Sequence, residues 1–280
     1  MGMKHKRWIW ALPLILILAI PALSYTEPEP PARQPTQRQP AQTETIQTAP
    51  METTAEETTA EDTVKAYAQA HNLPYSAWPR SLVALLERNP ETEEFVLRYP
   101  ELHDQAQEVD LSEYENSDSV PLFLQWDTRW GYLPYGSDVA GITGCGPVCL
   151  SMVAFYLTGD PAMSPDNLIR FALEEGYCVP GNGSAWTLIS QGGAALGLEV
   201  TELPLVESLV FENLDAGNPI ICIMGPGDFT DSGHYIVLTG CQDGKLRVND
   251  PNSRAKSERL WEYAQIEDQI DNLWVLRRGD

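Results

Sequence analysis

One cysteine stands where the sequence indicates the start of a helix. Cys145 lies in the run GCGP at 144–147, and apolar residues then recur at Val148, Met152 and Phe155, the spacing of one helix face. Proline is favoured in the first turn, which places Cys145 at the helix N-terminus. Free backbone N–H groups and the helix dipole lower the pKa of a thiol there and favour the nucleophilic thiolate. The simpler alternative is a buried structural cysteine.

A thiolate nucleophile needs a base, and residues 119–280 hold one histidine, His234. It begins the run HYIVLTG, which is typical of a buried strand. Asp243 and Gly244 then predict a tight turn, and 245–249 the returning strand of a hairpin. Taken alone, His234 would be interpreted as a core residue. Together with a cysteine at a helix start, it becomes a candidate general base.

The returning strand brings a carboxylate back towards His234. A hairpin centred on the predicted turn places His234 opposite Ser253, three residues beyond Asp250, a difference that one bulge or a register error would remove. Asp250 would then bond the far ring nitrogen of His234 and stabilise the imidazolium. Asn249 is the competing candidate. Successive strand residues face opposite sides of a sheet, so only one of the two can serve.

A fourth polar residue precedes the cysteine. Gln125 lies 20 residues before Cys145, in the run LQWDTRWG at 124–131. The NH₂ group of a glutamine side chain can join the backbone N–H of a nucleophile in stabilising the oxyanion of a tetrahedral intermediate. Gln125 is therefore a candidate oxyanion-hole donor.

Composition and motifs argue against other function classes. A formal net charge of −22 repels phosphate backbones, so we expect no nucleic-acid partner. The sequence contains no GxxxxGK[ST] phosphate loop. A zinc site would need a different spacing, because three residues rather than two separate Cys145 from Cys149 and a single histidine is at hand. We therefore expect neither a metal ion nor another cofactor. Cys149 fits a buried structural thiol.

The elements that must position these residues alternate between helix and strand. After the Cys145 helix, the pattern predicts a helix at 184–196, a strand at 198–203, a helix at 206–215 and a buried strand at 219–224. A loop then leads to the hairpin that begins at His234. The sequence thus predicts an α+β fold in which the Cys145 helix packs on an antiparallel sheet.

Four motifs in this order resemble a known family. They are QxDxxWG at 125–131, GCGP at 144–147, GHY at 233–235 and NDP at 249–251, and the resemblance covers roughly 119–278. They are similar to stand-alone members of the bacteriocin-processing (double-glycine leader) peptidase-like group, which are papain-like cysteine peptidases. The resemblance implies the papain-like fold, with Cys145 as nucleophile, His234 as general base and acid, Asp250 as orienting acid and Gln125 as oxyanion-hole donor.

The leader-processing members of that group are fused to a membrane transporter and an ATPase domain and work in the cytoplasm. Neither part is found in this sequence, and its peptidase-like region is expected outside the cell. The substrate of those relatives is therefore not carried over to this chain.

The N-terminal part predicts export. A basic cluster at 4–7, an apolar run at 8–23 and a small-x-small site at 22–24 indicate a signal peptide or membrane anchor over 1–24, so the remainder is expected outside the cytoplasm, secreted or tethered to the membrane through 8–23. Residues 25–62 are rich in Thr, Pro, Glu and Gln and predict a disordered linker.

Two further segments precede the papain-like domain, which we expect at 119–280. Residues 63–103 predict a small helical segment that packs on that domain, and 104–118 an acidic linker. The helical segment, with NPE at 89–91 and FVxxY at 95–99, is similar to one that precedes this domain in exported proteins of Gram-positive anaerobes.

Five cysteines in an exported chain cannot all pair. Apart from Cys145, the other four could form disulfides. However, Cys222 and Cys241 lie within apolar strand runs and are interpreted as buried thiols.

Three functions remain open from the sequence. The first is a peptidase that hydrolyses peptide or isopeptide bonds of a peptide or protein substrate outside the cell. The second is an acyl-transferase that uses the same residues to pass the acyl group to an amine. The third is a catalytically silent module that binds peptides or cell-wall fragments on the same fold. The sequence predicts no oligomeric state.

Overall fold

The computed structural model describes residues 58–115 and 117–279. The signal peptide or membrane anchor predicted at 1–24, and the linker predicted at 25–62 up to residue 57, lie outside these residues. Within the two described ranges, no helix combines the length and the apolar character needed to span a membrane.

The first described elements form a small helical segment. Thr59 accepts the N–H of Asp62 in a 3.1 Å bond and thereby caps the first helix, which begins three residues before the predicted start at 63. The helices are α1 (Ala60–Ala70), α2 (Arg80–Arg88), α3 (Glu93–Leu97) and α4 (Tyr99–Leu102), with 3₁₀ turns at Tyr75–Ala77 and Pro90–Thr92.

This helical segment shares its core with the chain that follows. Val64, Leu82 and Phe95 are fully buried in one apolar cluster that also contains Tyr132. The Tyr132 hydroxyl donates to the carbonyl of Phe95 over 2.8 Å, and the two rings stack with centroids 4.5 Å apart. The described residues accordingly belong to one compact unit, Ala55–Asp280.

The segment predicted as an acidic linker at 104–118 packs on the same unit. Leu111 is buried in the main core next to a 3₁₀ turn at Ser112–Tyr114. The guanidinium of Arg129 donates to the carbonyl of Asp110 over 3.2 Å and lies 3.5 Å from the carboxylate of Glu113.

Four short strands form two small hairpins around the Cys145 helix. β1 (Pro134–Tyr135) pairs with β2 (Asp138–Val139), and β3 (Cys178–Val179) with β4 (Gly183–Ser184). The helices between and after these hairpins are α5 (Ala140–Thr143), α6 (Cys145–Thr158), α7 (Pro165–Glu174) and α8 (Gly193–Ala195). A π-helical turn, Leu188–Gly192, leads into α8, so the helix predicted at 184–196 begins later than expected because β4 occupies its first residue.

A six-stranded antiparallel sheet is the centre of the fold. Its strands are β5 (Leu198–Glu202), β6 (Ile220–Met224), β7 (His234–Gln242), β8 (Lys245–Asn249), β9 (Leu260–Trp261) and β10 (Ile270–Arg278), arranged in the order β5-β10-β6-β7-β8-β9. The remaining helices are α9 (Glu207–Asp215), α10 (Arg254–Glu258) and α11 (Tyr263–Ile266).

Alternation along the strands gives the sheet two apolar faces. Tyr235 and Val237 of β7 lie in the core that contains α6, whereas Ile236 and Leu238 lie in a second core with residues of α9 and α11. Helix α6 is buried over most of its length, and Gly159 ends it in the left-handed conformation with φ 67°. The α+β fold with a helix packed on an antiparallel sheet is confirmed.

Candidate active site

Cys145 is the first residue of α6, as the sequence predicts. Its side chain is partly buried, and this desolvation by itself would raise the thiol pKa. Hydrogen bonding to His234, the positive charge of that imidazole and the backbone N–H groups of Tyr235 and Gly146 outweigh it, so the pKa is lowered from its ordinary value. The thiolate form is therefore favoured.

The residue after the cysteine must be small. A Cβ atom on Gly146 would lie 2.7 Å from the Cβ of Ser184 and in contact with its hydroxyl. That hydroxyl is itself fixed, since it lies 2.6 Å from the hydroxyl of the buried Tyr135. The glycine thus allows the start of α6 to approach β4 closely.

His234 is the first residue of β7 and is buried. Its Nε2 atom lies 2.6 Å from Oδ1 of Asp250, whose carboxylate is also buried. Desolvation would lower the pKa of the imidazole, but the charge of Asp250, the hydrogen bond to it and the interaction with Cys145 raise it instead. The lowered thiol pKa and the raised imidazole pKa both favour a thiolate–imidazolium pair.

The hairpin delivers Asp250 to His234 through a bulge and a turn. The Asp243–Gly244 turn forms where predicted, with φ of 54° and 75° at its two residues. Thr239 is an extra residue between the pairs Leu238–Val248 and Gly240–Arg247, which shifts the register of the hairpin by one. β8 ends at Asn249, and Asp250 then forms a bridge with Ser253 as the chain turns.

Asn249, the competing candidate, is engaged elsewhere. Its side-chain Nδ2 donates to the carbonyls of Val120 and Pro121 over 3.1 and 3.0 Å. It therefore anchors the start of the domain, while the neighbouring Asp250 contacts His234. Of the two candidates, Asp250 is the one whose side chain contacts His234.

Gln125 is buried and connects two parts of the site. Its side-chain Nε2 donates to the carbonyls of Gly141 and Ile142, over 3.0 and 3.3 Å, in the helix that precedes Cys145. Its backbone N–H donates to the carbonyl of Pro251 over 2.7 Å, next to Asp250. Gln125 Oε1 is buried with no hydrogen-bond partner among the described residues.

Two contributors to the thiol environment could not be identified from the sequence. They are the backbone N–H groups of Tyr235 and Gly146. A backbone amide is common to every non-proline residue, so only the fold reveals which ones point at a side chain. In the sequence, the only indication of these two residues is that Gly146 follows Cys145 and Tyr235 follows His234.

All five cysteines are free thiols in the structure. Cys149 and Cys222 are fully buried, as expected, but the expectation for Cys241 is wrong. Cys241 is partly exposed and donates to Oδ1 of Asp215 over 2.7 Å. β6 pairs with β7 only over 234–238, so Cys241 has a neighbouring strand on one side only, β8. Among the described residues, no group of three or more His, Cys, Asp or Glu could hold a metal ion.

Comparison with known proteins gives a family match over the same region. The model of the Peptidase_C39 like family matches residues 117–279, which include the four candidate residues. No curated protein sequence matches the chain.

Two solved structures resemble parts of the chain. The peptidase domain of Streptococcus ComA, a bi-functional ABC transporter involved in a quorum-sensing pathway, is 20% identical with a TM-score of 0.41; the match covers 57% of this chain and 99% of that domain. A putative C39-like peptidase from Bacillus anthracis is 18% identical with a TM-score of 0.36, and the match covers 58% of this chain and 97% of that one.

The family model spans more than half of the chain, and the sheet and helix α6 lie within it. The chain belongs to the Peptidase_C39 like family and is a cysteine peptidase with the papain-like arrangement of a helix packed on an antiparallel sheet.

Proposed function

We propose that this peptidase hydrolyses peptide or isopeptide bonds outside the cytoplasm with Cys145 as nucleophile, His234 as general acid and base, and Asp250 as orienting acid. The observation that carries the proposal is the 2.6 Å contact between Nε2 of the buried His234 and Oδ1 of Asp250, beside a thiol at the start of α6. A binding module would need neither the buried carboxylate nor the shared proton.

The thiolate of Cys145 attacks the carbonyl carbon and forms a tetrahedral oxyanion. His234 then gives its proton to the leaving amine as the carbon–nitrogen bond breaks, which leaves an acyl-thioester and a neutral imidazole. His234 next removes a proton from water, the resulting hydroxide attacks the thioester, and the carboxylic product leaves while the thiolate and imidazolium are restored. Asp250 stabilises the imidazolium in the states that contain it.

Gln125 is proposed as one donor to the oxyanion. Its amide is held beside the helix that precedes Cys145. In this proposal the carbonyl oxygens of Gly141 and Ile142 share one N–H of the Gln125 amide. The second N–H of the amide is then left for the oxyanion. The other donor is the backbone N–H of Cys145, which has no intrahelical acceptor at the first position of α6.

The test of the triad is the rate of Cys145 alkylation by iodoacetamide as a function of pH, measured on the full chain by mass spectrometry of its peptides. Cys241, a partly exposed thiol away from the site whose pKa is raised by its bond to Asp215, serves as the reference in the same digest. We expect fast labelling of Cys145 below pH ~7 that is lost in His234→Ala. Labelling that follows an ordinary thiol titration in both chains would contradict the proposal.

Turnover is tested with a library of peptides, with and without added amines. Cleavage that disappears in Cys145→Ala but persists in Cys241→Ala supports hydrolysis at this site. Products that carry the added amine in place of water would identify acyl transfer instead. Retained cleavage in Cys145→Ala would exclude the mechanism.

The extracytoplasmic location is supported by the basic cluster at 4–7 and the apolar run at 8–23. The measurement is biotinylation of intact producing cells and of their medium with a membrane-impermeant reagent. Labelled or secreted chain supports the location. Chain that becomes labelled only after lysis would place it in the cytoplasm.

A further inference from the structure

The helical segment contacts the loop that follows Asp250. Asn89 donates from Nδ2 to the carbonyl of Asn252 over 2.6 Å. The carboxylate of Glu91 accepts the hydroxyl of Ser253 over 2.7 Å and the backbone N–H of Arg254 over 2.9 Å. These bonds join residues more than 160 positions apart in the chain.

The contacted loop is the one that fixes the Asp250 carboxylate. The backbone N–H of Asn252 donates to Oδ1 of Asp250 over 2.8 Å, and this is the same oxygen that contacts His234. Asp250 and Ser253 are bridged to each other. A movement of Asn252 or Ser253 is therefore transmitted to the oxygen that meets the imidazole.

Asn89 and Glu91 are themselves held in place. Asn89 Oδ1 accepts the N–H of Glu91 over 3.1 Å and caps the 3₁₀ turn Pro90–Thr92. Asn89 thus uses both ends of its amide, one inside the helical segment and one on the Asp250 loop. Such a rigid arrangement can position another group with little loss of entropy.

The same segment also supports the helix that precedes Cys145. The ring of Phe95 packs so closely against Gly131 and Gly141 that a Cβ atom on either glycine would overlap it. Gly141 is one of the two residues whose carbonyls hold the Gln125 amide. The helical segment thus reaches the surroundings of Asp250 through Glu91 and those of Gln125 through Phe95.

We propose that Asn89 and Glu91 are positioning residues for the Asp250 loop, and that residues 60–103 are an integral part of the catalytic unit. This inference rests on the proposed triad. Neither residue touches the reacting atoms; both act by holding Asn252 and Ser253 where the Asp250 carboxylate meets His234.

The experiment compares Glu91→Gln and Asn89→Ala with Glu87→Gln in the full chain. Glu87 is the matched control, because its carboxylate accepts the N–H of Ala60 over 3.1 Å entirely within the helical segment. The readout is the alkylation rate of Cys145 at pH 6.5 and at pH 10, together with the thermal midpoint of each variant. At pH 6.5 the amount of Cys145 thiolate depends on the imidazolium that Asp250 stabilises. At pH 10 even an ordinary thiol is ionised, so the labelling rate no longer depends on that imidazolium.

We expect Glu91→Gln and Asn89→Ala to slow labelling at pH 6.5 by about threefold or more, with rates at pH 10 equal to those of the parent chain. Glu87→Gln should lower the thermal midpoint and leave the ratio of the two rates unchanged. An unchanged ratio in Glu91→Gln and Asn89→Ala, in a parent chain that does show the imidazole-dependent thiolate, would overturn this inference alone. A parent chain without that thiolate would overturn the proposed triad as well.

Discussion

The backbone N–H of Gln125 donates to the carbonyl of Pro251 over 2.7 Å, which ties the candidate oxyanion donor to the loop of the candidate acid. Through its side chain, the same residue is bonded to Gly141 and Ile142 ahead of Cys145. A substitution at one of these residues is therefore expected to alter the positions of the others. Tests of individual roles need readouts that separate a loss of chemistry from a loss of positioning.

The first prediction concerns the charge of Asp250. In Asp250→Asn the side chain keeps its size but no longer stabilises the His234 imidazolium, so the thiolate of Cys145 becomes less populated. We expect alkylation of Cys145 at pH 6.5 to fall by about tenfold, the effect of a thiol pKa raised by about one unit, or about 1.4 kcal/mol. Asn249→Ala is the comparison: it removes the bonds to Val120 and Pro121 and should lower the thermal midpoint without changing the pH dependence of labelling.

The second prediction is the pH profile of turnover. Activity requires the thiolate and the imidazolium together, so it rises as Cys145 loses its proton and falls as His234 loses its own. The lowered thiol pKa places the ascending limb below the ordinary thiol range, and the raised imidazole pKa places the descending limb above the ordinary histidine range. Asp250→Asn should move the descending limb to lower pH. A profile that rises only through the range of a free thiol would contradict the shared proton.

The third prediction separates oxyanion stabilisation from thiolate formation. Gln125→Ala should reduce kcat by roughly 10²-fold, the usual effect of removing one oxyanion donor. Alkylation passes through no oxyanion, so the labelling rate of Cys145 should change far less. An equal loss in both measurements would show that Gln125 acts only by holding Gly141 and Ile142.

The fourth prediction tests the close approach at the start of α6. Gly146→Ala would bring its new Cβ to 2.7 Å from the Cβ of Ser184, and we expect a loss of about 1–3 kcal/mol in the free energy of unfolding. Denaturant unfolding measures the effect. In the Ser184→Gly background the same change should be much less destabilising, whereas additive effects would show that Ser184 is not the obstacle.

The turn of the hairpin and the start of α6, which position the candidate site residues, could be predicted from a few neighbouring residues. Asp243 and Gly244 specify their turn because both tolerate positive φ, and Pro147 marks the first turn of α6 because a proline lacks only an N–H that is unpaired there anyway. In these places a few neighbouring residues determine the backbone, so the sequence is sufficient.

The rest depended on contacts between distant residues. Nothing near Thr239 signals a bulge, and the apolar run around Cys241 gives no sign that the pairing with β6 stops at Leu238. NPE at 89–91 predicts the end of one helix and the cap of the next, but its bonds to the Asp250 loop require the folded chain. Likewise, only the folded chain shows that Asp250 contacts His234 while Asn249 bonds the carbonyls of Val120 and Pro121.

The bond between Glu91 and Ser253 has a consequence for the order of events in folding. It joins positions 162 residues apart, so it can form only after a large loop of chain has closed. Because this bond supports the loop beside Asp250, we expect the peptidase to become active only after this long-range contact has formed. In refolding, recovery of the imidazole-dependent thiolate should lag behind recovery of helical signal.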